Sequence, residues 1–224
     1  MLGSEVNGSL GVEIRSSHSI LVGDRALYNS DKGIFISGYH GVVTEGVTAV
    51  NNAEEGIYLC GVTNASISGA LSSLNEVGIM VLDSFSASIH DLRFEHNEEG
   101  ICVVSSSQVR IDKCFALNNT DGAMVHSSRR IVVYELMAME NYDYGVHLEA
   151  SSKIVVARCN VSPNFVGVSA VYSTDITVIG SAVMQNYCGV ECYDSTIMKY
   201  SLISGNALGL YSESRLAKAD ARYN

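Results

Sequence analysis

Residues 97–107 read NEEGICVVSSS, and residues 119–128 read NTDGAMVHSS. The frame is Asn, two residues, Gly, then apolar residues at the first and third places beyond the Gly, then serines. It returns along most of the chain. Glycines stand in register at Gly11, Gly33, Gly56, Gly78, Gly100, Gly122, Gly145, Gly167, Gly189 and Gly209, with steps of 22 or 23 residues until a last step of 20. Asparagines precede them at Asn29, Asn52, Asn75, Asn97, Asn119, Asn141, Asn164, Asn186 and Asn206. A serine follows most of them six residues later, as at Ser84, Ser106, Ser128, Ser151 and Ser173.

Within one repeat the apolar residues alternate with period two, the signature of strands and not of helices. Ile79/Val81, Ile101/Val103 and Val146/Leu148 come first after the Gly. A second pair lies nine and eleven residues after it, as in Ile20/Val22, Val109/Ile111 and Ile154/Val156. A third lies at fourteen and sixteen, as in Leu92/Phe94 and Leu136/Ala138. Three short strands per repeat of about 22 residues predict an all-β chain, a single-stranded right-handed parallel β-helix of about ten coils. Coils stacked at about 4.8 Å make a rod roughly 45–50 Å long. Equivalent side chains then pile into rows, and buried asparagines bond amide to amide along the stack. The ladder predicted here comprises Asn52, Asn75, Asn97, Asn119, Asn141, Asn164 and Asn186, with Gly at the strand start chosen for its backbone freedom. Leucine-rich repeats share the length, but their Asn follows the strand, whereas here it precedes it. A left-handed β-helix would show a hexapeptide period, and none is present.

The whole chain, residues 1–224, reads as one β-helix domain, with regular coils over about 11–212 and a terminal tail or cap at 213–224. Composition agrees with a packed solenoid: 47% of the 224 residues are apolar, 17% are charged, and proline occurs once. A net charge of -10 disfavours nucleic acid as a partner. No apolar run reaches the 18 or so residues of a membrane span. The opening MLGSEVNGSLGVEIRSS lacks a basic segment and a long apolar run, so it does not read as a signal peptide. Cys114 and Cys159 share a row two coils apart, about 9–10 Å, beyond disulfide reach. Cys60, Cys102, Cys188 and Cys192 also lack partners in this register, so the thiols lean towards a reducing, intracellular compartment.

The repeated N-x-x-G-[IV]-x-[ILV]-x-x-S coils resemble the pectate-lyase-like superfamily, and within it the β-helix repeats of carbohydrate-binding and sugar-hydrolase proteins. That resemblance spans roughly residues 11–212. It implies the fold, allows an extracellular or surface location, and leaves function open among lyases, glycosidases, epimerases, phage adhesins and scaffolds without activity. Asn119-Thr120-Asp121-Gly122 is similar to the first polygalacturonase signature, in which the Asp serves acid–base catalysis. That family's paired Asp-Asp, Gly-His-Gly and Arg-Ile-Lys do not follow, and the repeat alone accounts for Asn119 and Gly122. Tyr144-Gly145-Val146-His147-Leu148-Glu149 is similar to the Tyr-Gly motif of alginate epimerases, without its Asp-Pro-His. Asp121 and His147 are therefore the catalytic candidates, against a reading with no catalytic residues.

An acidic row before the glycines is expected from Asp31, Glu54, Glu76, Glu98, Asp121 and Asp143, with no Lys or Arg beside it. Neighbours in it would repel by about 0.9 kcal/mol even in water. Calcium would relieve that repulsion, with Glu76, Glu98 and Asp121 as candidate ligands. Otherwise no cofactor is expected. His18 and His40 share a row, but two imidazoles without a third ligand make no zinc site. The outward positions of the first strand are apolar where water-facing residues would be polar. Phe35, Tyr58, Met80, Leu82, Val104 and Met124 are the candidate binding residues. Such a patch marks a contact surface, so the leading expectation is a non-catalytic scaffold that docks a protein partner or its own copies. The alternative is a carbohydrate-active or glycan-binding domain with an acidic groove, a polysaccharide lyase or glycoside hydrolase if it is an enzyme.

Overall fold

The computed structural model describes residues 5–6, 8–38, 40–193, 196–199 and 201–212, without side chains for 5–6 and 196–199. The expected cap or tail at 213–224 lies outside these residues. The described chain is wound into three parallel sheets, each running from the first coil to the last in strict sequence order. The first sheet contains ten strands, among them Glu55–Cys60, Val77–Leu82, Glu99–Val104, Asp121–His126, Asn141–Glu149, Asn164–Val171 and Cys188–Cys192. The second has nine strands and includes Arg110–Asp112; the third has ten and includes Phe115–Leu117. One apolar core runs between the sheets from Val12 to Val190, made of the predicted inward pairs.

Two hydrogen-bond ladders hold the coils in register. In the first, each asparagine Nδ2 donates to the Oδ1 of the asparagine one coil on, at 2.7–3.2 Å from Asn29 through to Asn206. The same Oδ1 also accepts the backbone N–H of the preceding asparagine, as Asn119 does from Asn97 at 3.0 Å. The second ladder was not foreseen. Ser84, Ser106, Ser128, Ser151 and Ser173 are buried, and each Oγ accepts the N–H of the equivalent residue one coil earlier. Each of these hydroxyls donates to a carbonyl two residues back, as Ser128 does to His126 at 2.9 Å. Period-two patterning cannot reveal this ladder, because it lies in a turn.

The repeat glycines have a different purpose from the one expected. None of them adopts a left-handed φ. A Cβ on Gly100 would lie 2.6 Å from the Gly122 carbonyl oxygen and 3.0 Å from Asn119 Nδ2. The glycine is required so that the asparagine of the next coil can approach the backbone. Left-handed residues instead occupy the corners, as at Asp83, Ser105, Ser127, Ala150 and Tyr172.

The first coil also departs from expectation. Leu21 is the inward residue of its second strand, and Ile20, 63% exposed, faces out with Val22 beside it. Leu21 pairs with Thr44 of the next coil, yet it stands ten residues after Gly11 where Thr44 stands eleven after Gly33, so the first coil is one residue shorter before the strand. All six cysteines are free, and Cys114 and Cys159 are buried in the core.

Candidate functional site

The first sheet turns its second and fourth post-glycine positions outward, and parallel pairing aligns them into straight rows. One row runs Tyr58, Met80, Cys102, Met124, His147, Ser169, Glu191. Its neighbour runs Cys60, Leu82, Val104, His126, Glu149, Val171. The sheet therefore changes character along the rod: Tyr58 to Met124 form an apolar strip, and His147 onward form a polar one. The predicted contact residues Phe35, Tyr58, Met80, Leu82, Val104 and Met124 all face outward but are only half-buried, each partly covered by the coils on either side. Cys102, in the same outward row, is buried between Met80 and Met124.

Register corrects the acidic row. Asp121 pairs with Glu99, not with Glu98, and Glu99 pairs with Val77 opposite Glu55. Glu98 instead precedes Glu99 on the outer turn, where its N–H bonds the Glu76 carbonyl. The carboxylates thus form two rows, and the calcium set Glu76, Glu98 and Asp121 is split between them. The sequence pattern concealed this because acidic residues occur at both places before the Gly. A cation is present as well: Lys32 contacts Glu54 and lies 3.0 Å from Asp31 and 3.1 Å from Glu55.

The polar end brings the two catalytic candidates onto adjacent coils. The Tyr144 N–H donates to Asp121 Oδ1 at 3.3 Å. The Tyr144 ring meets the His147 ring edge-on, with centroids 4.3 Å apart. Burial pushes the Asp121 carboxyl up to about 6, helped by the charges of Asp143 and Glu99 and opposed by the Tyr144 N–H. Burial lowers the His147 imidazole, although Glu149 and Glu191 pull the other way. Neither ring nitrogen of His147 has a hydrogen-bond partner, and both are shut off from solvent. Around this pair, His126 Nδ1 sits 3.1 Å from Glu149, and the Ser169 and Tyr193 hydroxyls both donate to Glu191 at 3.1 Å. These contacts were missed, although spacings of 22 and 23 residues within one row would have identified the first two. A carboxyl raised to about 6 and, one coil on, an imidazole lowered by burial can respectively give and take a proton.

The family model described as a right handed beta helix region matches residues 77–219, well over half of the chain. This protein belongs to the right-handed beta helix family. The β-helix is similar over residues 3–111 to the family described as periplasmic copper-binding protein (NosD). No curated protein sequence matches the chain. Among solved structures the β-helix resembles the periplasmic alginate epimerase AlgG, with a TM-score of 0.80 and 16% identity over 92% of this chain. It resembles the enzymatically active domain of tailspike protein 2 of bacteriophage CBA120, with a TM-score of 0.74 and 9% identity over 97% of this chain. The catalytic domain of a GH87 alpha-1,3-glucanase, in complex with nigerose, aligns with a TM-score of 0.60 and 7% identity over 98% of this chain. At such identities the likeness is one of fold. The chain spans 61% of the AlgG structure, 43% of the tailspike domain and 58% of the glucanase domain.

The copper in the second family's description finds no hard-donor site here. Among the described residues no three His, Cys, Asp or Glu side chains are arranged to hold a metal ion. His18 and His40 do meet, with ring centroids 5.9 Å apart, but His40 Nε2 faces the Asn64 amide at 3.3 Å.

Proposed function

We propose that this β-helix is a carbohydrate-active domain that holds a glycan along the outward face of its first sheet, with the reacting centre at Asp121, Tyr144 and His147. The observation that carries this reading is His147: an imidazole with both nitrogens unpartnered, kept neutral by burial, against Tyr144 and one coil from a carboxyl titrating at about 6. A purely structural surface rarely keeps such a set, whereas acid–base catalysis needs groups whose proton affinities are moved towards neutrality. Asp121 then acts as the acid and His147 as the base, and Tyr144 orients both. The folds it shares with an epimerase, a tailspike enzyme and a glucanase support a sugar polymer as the ligand. The similar proteins whose descriptions give a location are periplasmic, so they lend no support to the intracellular lean drawn from the thiols.

The test is a turnover assay on a panel of neutral and acidic polysaccharides. Asp121→Asn and His147→Gln should each lower kcat by about 10²–10⁴-fold while glycan binding is kept. Turnover undiminished in both variants, or no polysaccharide bound or turned over by the intact protein, defeats the proposal.

The half-buried strip from Tyr58 to Met124 favours a second reading, protein contact or self-association through this face. Light scattering tests it: a dimer broken by Met80→Asp supports it, and a monomer at all concentrations rejects it.

A further inference from the structure

A furrow of about 710 Å³ runs along the asparagine corner, beside the outward face of the first sheet and not on it. Its floor is the buried ladder at Asn75, Asn97 and Asn119. One bank is the row just before the ladder asparagines: Asn51, Leu74, His96, Asn118 and Glu140, exposed residues in left-handed backbone. The other bank is the row just after them, Glu98, Thr120 and Tyr142. Leu74 is the one aliphatic side chain in the lining. The polar bank side chains make no hydrogen bond or ion pair among the described residues. Beyond the furrow the second row turns aromatic. Tyr142, Phe165 and Tyr187 follow Asn141, Asn164 and Asn186, so the ladder sets them on three consecutive coils. They are 80%, 53% and 54% exposed. The Phe165 and Tyr187 rings stack 4.9 Å apart and 5° from parallel. Among the described residues no Lys or Arg lies over any of the three.

We propose that this corner binds a neutral polysaccharide lying lengthwise along the rod, its sugar rings packed on Tyr142, Phe165 and Tyr187 and its hydroxyls bonded to the banks of the furrow. A sugar ring has an apolar face of C–H groups and a rim of hydroxyls. The negative face of an aromatic ring attracts the C–H groups, and side-chain amides and carboxylates fix the rim. From Asn51 to Tyr187 the track crosses six coil steps, roughly 29 Å in a straight line, which suits a linear polymer. Charge narrows the class. The lining holds Glu98 and Glu140 and no Lys or Arg, so a uronate polymer is repelled. Nucleic acid is repelled through its phosphates, although aromatic rows stack bases as well. The site is separate from the reacting centre on the first sheet, because it uses none of Asp121, Tyr144 or His147.

Calorimetric titration of the intact chain tests it, with hexasaccharides of a neutral glucan, a neutral mannan and a uronic acid polymer as probes and the His96 ring resonance as reporter. At least one neutral hexasaccharide should bind and shift His96, and the uronate should bind at least about tenfold more weakly. Tyr142→Ala and Phe165→Ala change exposed side chains, so both should fold. Each should weaken binding at least about fivefold, whereas Tyr142→Phe keeps the ring and should bind as the parent does. Binding by neither neutral sugar, uronate bound as tightly as they are, or an unmoved His96 would each overturn the site. So would Tyr142→Ala and Phe165→Ala binding like the parent; the sugar then sits on the first sheet, and the reacting-centre reading stands without this one.

Discussion

Replacing Asn119 with Ala removes one rung from the middle of the asparagine ladder. Its Nδ2 donates to Asn141 Oδ1 and to the Phe94 carbonyl, both at 3.2 Å. Its Oδ1 accepts the backbone N–H and the Nδ2 of Asn97, both at 3.0 Å. Asn97 Nδ2 retains the Ser72 carbonyl, but its backbone N–H is left buried with no acceptor. Such an orphan costs about 1–3 kcal/mol, and each of the other lost bonds about 1 kcal/mol net. The total is about 4–6 kcal/mol. For a chain of this size m in urea is about 3 kcal/mol/M, so the midpoint should fall by about 1–2 M. Thr120→Ala, one residue on and exposed, should stay within about 0.5 kcal/mol of the parent. Equilibrium urea unfolding followed by circular dichroism measures both. If Asn119→Ala unfolds within about 0.3 M of the parent, or Thr120→Ala costs as much, the ladder is not what binds these coils.

Other outcomes follow from the same geometry. Gly100→Ala should cost about 1–3 kcal/mol in the same unfolding assay, because its Cβ would meet the Gly122 carbonyl at 2.6 Å. Ser128→Ala strands the buried N–H of Ser106 and should cost about 1–3 kcal/mol. Asp121 has a folded pKa raised from 3.8 to about 6, so the folded state holds a proton that the unfolded state releases. The parent should therefore lose stability relative to Asp121→Asn as pH rises from about 4 to about 6, and melting curves across that range will show whether the gap opens in that direction.

The fold was legible because one constraint repeats. A coil must return to the same place after each turn, so Gly, Asn and the inward pairs recur at nearly fixed spacing. The reason for each residue was less legible. Gly100 looks the same in sequence whether it serves φ or close approach, and only the position of Asn119 Nδ2 distinguishes them. Asp121 and Glu98 both precede a glycine by one or two residues, and a single residue of register decides which row each joins. Ile20 and Leu21 show the same limit, since one residue fewer in a turn inverts a whole strand. At the site, Asp121 and His147 could be named from the chain, but their proton affinities depend on burial that period-two patterning does not report.

Histidine ring resonances, recorded while an oligosaccharide turned over by the protein is titrated in, test the central claim most directly. The account predicts that His147 and His126 shift on saturation, while His18, His40 and His90 stay in place. Saturating glycan that leaves His147 unmoved would contradict it.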